Sequence, residues 1–492
     1  MRFALLVGAL GATLLAASAS AAADSSVLTY HGALDRSGRY VMPGLTFDRA
    51  RGLHLDASFH AVFRGRVIAQ PLLWRLPGSG ETTLIVATDQ DEVYAIDAAS
   101  GAQIWKRMLG DPVPRSALPC GNLPLLGVTG TPVIDPGRAT LYLDAMVMRG
   151  DNPRHEIYAL GLADGSIEPG WPVDVATALK ESFMPAVQNQ RGALAVFGGR
   201  VFVAYSGHYG DCGDYHGTVV GVSQSDPSEV ESFSTRARGG GIWGQGGVTG
   251  DGKSLFVATG NTFGASAWSD GEAVLRFGPN LARPTDTRDY FAPSNWKWLD
   301  SGDLDLGGTA PIPIDVPSHK GTRKLIFAID KTGMAYLLDR NNLGGIGGAL
   351  LTAHVTARTT IASPAVWSVG DGVFLALQGS GVNCPPDKAG KGLVALKIRI
   401  DPAPAIETVW CAEVPGNRGA PIVTTTDGRS NPIVFMGGAE ADDRLYAFRG
   451  DTGELLASPP EYLRGFYRFK TLIAAGDRLY VAGDGLVYAF TF

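Results

Sequence analysis

The chain of 492 residues has only four cysteines, Cys120, Cys212, Cys384 and Cys411, and no two of them are adjacent or spaced C-x-x-C. The spacing gives no support for a zinc site and excludes a c-type haem, which needs C-x-x-C-H. Charged residues are scarce at 18 %, and the formal net charge is -6. No broad basic field is therefore available for nucleic acid. Past the N-terminal segment no run approaches 18 consecutive apolar residues, so no integral membrane segment is expected. Low-complexity linkers are missing too. Hydrophobic residues make up 45 % of the chain, which excludes a disordered chain, because one would lack the apolar surface that offsets ordering entropy.

Glycine and proline are abundant, at 65 and 30 residues. Both break helix interiors, which argues against a helical bundle or coiled coil. An all-β protein with many turns is expected.

The N-terminus has the layout of a secretory signal peptide. Arg2 is its basic residue, Phe3 to Leu15 its apolar run, and Ala19-Ser20-Ala21 or Ala21-Ala22-Ala23 its small-residue cleavage site. Residues 1–23 are read as that leader, and the mature chain as periplasmic or secreted. Export makes disulfides chemically allowed. Four cysteines permit three pairings. Cys384 and Cys411 are close in sequence and are expected to pair, leaving Cys120 for Cys212.

One pattern recurs: a strand-like run, a loop, then a second strand ending in an aromatic–small–apolar tripeptide. The clearest copy spans residues 84–105, around Tyr94. Others centre on Tyr158, Val220, Leu275, Tyr336, Val394, Tyr446 and Tyr488, about 56 residues apart on average. Strand runs at such a period predict a single β-propeller. Eight marks predict eight four-stranded blades; seven is the alternative, because the last copy is short and N-terminal strands would then complete it. Residues 24–60 read as an arm and 61–492 as the propeller. The loops inside each copy must emerge on one face, at 89–91, 148–155, 206–216, 261–270, 330–333, 378–388 and 437–443. Long polar loops on one face are where a small-molecule ligand or substrate is expected.

The first copy contains Ala95, Asp97, Ser100, Gly101 and Trp105 in the order A-x-D-x-x-S-G-x-x-x-W. This resembles the tryptophan-docking repeat of quinoprotein dehydrogenases and other proteins with propellers like those that bind pyrroloquinoline quinone (PQQ). Ala447 to Gly453 match its first part, but Ala457 stands where Trp is expected. The phrases AQPLLW, ALPCGNLPLLGVTGTPVID, DYHGTVVGV and LDSGDLDLGG resemble exported bacterial members of that group. The resemblance implies that a Trp packs between blades while Asp and Gly build a turn.

The resemblance also implies site residues. Trp243 falls where a Trp forms the floor beneath the quinone, and Asn261 where an Asn binds calcium. Asp305 is the nearest match to the aspartate base beside calcium, with Asp303 in reserve, although Leu304 stands where the family shows Trp. Lys331 falls where a cation faces the quinone oxygens. Such a set fits the chemistry: an indole face suits a planar quinone, a hard cation takes amide and carboxylate oxygens, and a carboxylate can take an alcohol proton. Each residue also has a plain structural reading, as a plug or a turn. The family's capping pair of adjacent cysteines is missing, and the remaining calcium carboxylate has no clear match: Glu181 lies in a plausible region but has no supporting motif. Gly239, Gly240, Gly241, Gly244, Gly246 and Gly247 crowd around Trp243, as expected if backbone approaches a flat ligand. A separate cluster, His208, Asp211, Asp214 and His216, could bind a metal or knot a loop pinned by Cys212.

The leading expectation is a quinoprotein-like oxidoreductase that oxidises an alcohol or sugar with PQQ and calcium and passes electrons to an external acceptor. The alternatives are a non-catalytic scaffold or binding propeller of the cell envelope, and a metal-dependent activity in the His208–His216 loop.

Overall fold

The computed structural model describes residues 26–492 apart from 77, 181, 371 and 417. The signal-peptide reading and Glu181 therefore lie outside the described residues.

Eight sheets of four principal strands each make eight blades. Blade 1 is Leu72–Arg75, Thr82–Ala87, Glu92–Asp97 and Gln103–Met108, paired antiparallel in that order. All eight marked tripeptides fall on third strands, from Glu92–Asp97 in blade 1 to Asp484–Thr491 in blade 8. The count is eight, not seven. The last blade supplies only three strands from the C-terminus, Leu472–Ala475, Arg478–Ala482 and Asp484–Thr491. Ala61–Arg66 pairs with Asp484–Thr491 as its fourth strand. First and last parts of the chain thus share one sheet, and the ring has no open end.

The core is a set of layers between neighbouring blades rather than one central cluster. Ile85, Val93 and Trp105 of blade 1 meet Leu141, Val147 and Tyr158 of blade 2 in one such layer. Because each blade is covered on both faces, its middle strands are apolar without alternation. Every residue of Leu255–Thr259 is buried.

The docking repeat behaves as the resemblance implies. Trp105 is buried between blades 1 and 2 and donates its indole N–H to Leu162 O at 3.0 Å. It pairs with Ala95, where the ladder carries a bulge. Asp97 accepts the Ser100 N–H and hydroxyl, closing the turn. Trp410 occupies the same place in blade 6: it pairs with Ala395 at a bulge and donates to Gly450 O at 2.9 Å. Ala457 of blade 7 also faces an alanine, Ala447, at a bulge. It holds the docking position without the docking side chain.

Residues 26–42 follow the inner edges of the blades. Val27 bonds Leu73 in blade 1, Leu28 O accepts from Ile134 in blade 2, and Thr29 donates to Leu194 O in blade 3. Leu34 O accepts from Gly250 in blade 4, and Ser37 O from Val366 in blade 6. Arg39–Val41 then adds a parallel strand to Ile422–Thr425 of blade 7. Tyr30, His31 and Arg36 have no exposed surface. Arg36 donates to Gly246 O, Leu194 O, Val248 O, Tyr30 O and the Thr29 hydroxyl. The arm therefore fills the propeller axis.

Candidate functional site

Antiparallel strands alternate in direction, so successive turns alternate between the two faces of the disc. Loops between strands 2 and 3 share a face with the connections from strand 4 to the next blade. Both families meet in one pocket of about 490 Å³. The first family supplies His208, Asp211, Asn261 and Lys331. The second supplies Trp243, Asp303, Asp305, Arg468 and Phe469, with Arg191 added from a break in the inner strand of blade 3. One expected loop is not a loop: Thr140–Arg149 and Asn152–Gly161 are long strands that leave a tight turn at 150–151.

Asp305 is the hub of the floor. Its Oδ1 accepts the Asn261 N–H at 2.8 Å, and its Oδ2 accepts the Trp243 indole N–H at 3.2 Å. The Lys331 ammonium lies 2.7 Å from the same Oδ2 and 2.6 Å from Asp303 Oδ1. Asp305 is buried, whereas the Asp303 side chain is 74 % exposed. Burial raises the Asp305 carboxyl and Lys331 opposes the rise. Lys331 itself is held up by its two aspartates against burial.

Behind this floor, and unforeseen from sequence, sits Glu272. It has no exposed surface, its Oε2 accepts the Leu306 N–H at 2.6 Å, and its Oε1 has no partner among the described residues. Burial first, then Asp305, pushes its carboxyl up to about 9.

Arg191 was equally invisible in sequence. Its guanidinium lies 5.1 Å from the Phe469 ring centre and 5.9 Å from that of Trp243, and among the described residues no carboxylate pairs with it. Burial, with Arg468 nearby, pushes it down to about 10. Arg468 is paired with Glu440 at 2.7 and 2.9 Å. Lys331 lies 5.1 Å from the Trp243 ring centre. The pocket wall is thus an indole flanked by cations, with Phe469 edge-on to it at 6.4 Å. Phe469 has φ of 71°, strained backbone for an aromatic residue.

The proposed metal loop separates into structural parts. Asp211 accepts the Tyr215 hydroxyl at 2.7 Å, and His216 Nδ1 bonds Thr235 O at 2.8 Å. The Asp214 side chain is 70 % exposed, 3.8 Å from His216. His208 lines the pocket; burial pushes its imidazole down to about 4 and keeps it neutral. Among the described residues, no three His, Cys, Asp or Glu side chains come together as a metal-binding group. Cys120–Cys212 and Cys384–Cys411 are both bonded, and the first ties the His208–Asp211 wall to the Asn122 segment.

The crowded glycines have another explanation than a flat ligand. A Cβ at Gly244 would meet Thr309 C at 2.9 Å, and one at Gly247 would meet Ala193 O at 2.3 Å. Of the six, only Gly241 lines the pocket. Close packing of this segment against blades 3 to 5 and the arm requires them.

Residues 61–226 match a family model described as outer membrane protein assembly factor BamB. No curated protein matches the chain at a significant level. Among solved structures, quinohemoprotein alcohol dehydrogenase from Comamonas testosteroni is 18 % identical with a TM-score of 0.65, over 96 % of this chain and 81 % of that one. A europium-containing methanol dehydrogenase is 14 % identical with a TM-score of 0.61, over 95 % and 98 %. BamB from Moraxella catarrhalis is 14 % identical with a TM-score of 0.48, over 89 % and 100 %. No helix among the described residues is long and apolar enough to cross a membrane. With identities this low the likeness is one of architecture, and in its architecture the chain is a PQQ-like, eight-bladed β-propeller.

Proposed function

We propose that this chain is an exported propeller that binds a flat, anionic quinone of the PQQ type on Trp243 and uses it to oxidise an alcohol or sugar, with electrons leaving to an external acceptor. The observation that carries the reading is Arg191, a guanidinium without a carboxylate partner among the described residues, set against aromatic rings in the wall of a 490 Å³ pocket. A half-buried cation of this kind is stabilised by an anion. Arg191, Arg468 and Lys331 would hold carboxylates of the ligand, and the indole would support its plane. When bound, PQQ would supply a two-electron acceptor.

Asp305 would receive the substrate proton. A carboxylate has about four acceptor positions; Asn261, Trp243 and Lys331 use three, leaving one on Oδ1. Asp303 steadies the other side of the ammonium. Calcium does not fit this arrangement. It takes six to eight oxygens, whereas Asp305 already carries Lys331, and no three-carboxylate group is present among the described residues. Lys331 is the cation beside the base in our reading.

The test is PQQ binding followed by Trp fluorescence, with and without Ca²⁺. Saturable binding is expected without Ca²⁺, weakened at least about tenfold by Trp243→Ala and by Arg191→Ala. No saturable binding by the wild type would sink the quinone reading. A second reading, an envelope assembly propeller, is favoured by the family model matched over blades 1 to 3, and protein without PQQ affinity would support it. Either reading places the protein in an oxidising compartment, where the two disulfides persist.

A further inference from the structure

A second concavity, of about 440 Å³, adjoins the first across the turn Asp330–Gly333. Lys331 faces the first pocket; Asp330 and Thr332 line the second. The helix Trp296–Gly302 connects them, with Trp298 lining the second pocket and Asp303, at the helix end, lining the first.

Trp298 is 56 % exposed, whereas the other eight tryptophans are buried or half-buried. Its neighbours in the concavity are a mixture of apolar groups, such as Pro293, Met334 and Ala349, and polar groups without free charge. Ser294, Asn295 and Thr352 present hydroxyl and amide groups that make no side-chain hydrogen bond among the described residues. His354 Nε2 bonds Thr332 O at 3.2 Å. The carboxylate Asp330 is saturated: Oδ1 accepts from Thr332 and Met334, and Oδ2 from the Tyr336 hydroxyl at 2.8 Å.

We propose that this concavity is a subsite for neutral sugar rings. A pyranose has an apolar C–H face and a rim of hydroxyls. An open indole suits the face, and uncharged amides and hydroxyls suit the rim. An anionic ligand would find no unpaired cation here, and a cationic one no unpaired carboxylate. The subsite goes beyond the quinone reading and does not rest on it.

Calorimetric titration of the mature protein with neutral trisaccharides of glucose, mannose and galactose tests this. Saturable binding of at least one is expected. Trp298→Ala should weaken it about tenfold or more, and Asn295→Ala should weaken it in the same direction. Because Trp298 is exposed, its variant should keep the wild-type melting curve. Failure of all three sugars to bind, or binding indifferent to Trp298→Ala, overturns the subsite. PQQ titration in parallel separates the two ideas, since each ligand reports on its own pocket.

Discussion

Single side chains in this protein are decided by burial and partners. Glu272 is the sharpest case. The unfolded chain holds this carboxyl near 4.5, and the folded protein raises it to about 9. Between those values the folded state keeps the proton and the unfolded state does not. Stability is therefore lost as pH rises through that interval, by at most about 1.4 kcal/mol per pH unit. Glu272→Gln keeps the shape and removes the ionisation. Urea midpoints at pH 5, 7 and 9 should show the variant gaining on the wild type as pH rises. A gap independent of pH would mean that Glu272 titrates normally. At the docking positions, Gly165 and Gly453 sit with φ of 67° and 77°, and a Cβ on either would come within 2.7 and 2.8 Å of Trp105 and Trp410. Trp410→Ala empties that contact between blades 6 and 7 and should cost about 3–5 kcal/mol, read as a fall in melting temperature.

Elements explain why the sequence was legible in some places and silent in others. The third strand of each blade carries its tripeptide because both faces are packed, so eight copies could be counted directly. Loops between strands 2 and 3 were legible as the gaps beside those strands. The connections between blades have no such marker, and they bring Arg468 and Phe469 to the pocket. Arg191 occupies a strand interruption that composition does not announce. Trp243, Asn261, Asp305 and Lys331 were found only through family resemblance, and the structure does place all four on one pocket. The Cys120–Cys212 bond is the element-scale support of the opposite wall. It closes a separation of 92 residues, and removing a disulfide of this kind costs about 2–5 kcal/mol. Cys120→Ser with Cys212→Ser should lower the melting temperature and weaken any ligand that touches His208 to Asp211. If PQQ affinity is unchanged, that wall does not contact the ligand.

The whole molecule is closed twice. Ala61–Arg66 completes the eighth blade, and residues 26–42 bond the inner edges of most blades in turn. Arg36 is the lock of the second closure, because its donors satisfy carbonyls from both blade 3 and the blade 3–4 segment. Its replacement by alanine leaves the Gly246 and Val248 carbonyls buried without their donor, at about 1–3 kcal/mol for each. Arg36→Ala should therefore lower the melting temperature by more than Arg39→Ala, whose side chain is exposed. Equal effects would show that the axial plug contributes little.

The sequence by itself determined the all-β class and the recurring strand pattern, because both follow from local patterning along the chain; it favoured eight blades over seven and one of three cysteine pairings, and ring closure and disulfide geometry decided both. It also determined the docking turn, whose Asp, Ser, Gly and Trp are neighbours. Tertiary structure alone decided which residues share a pocket, that the crowded glycines answer to protein rather than ligand, and that residues 26–42 fill the axis. Those outcomes depend on groups hundreds of residues apart meeting at the centre of a ring. Only ring closure fixes such distances.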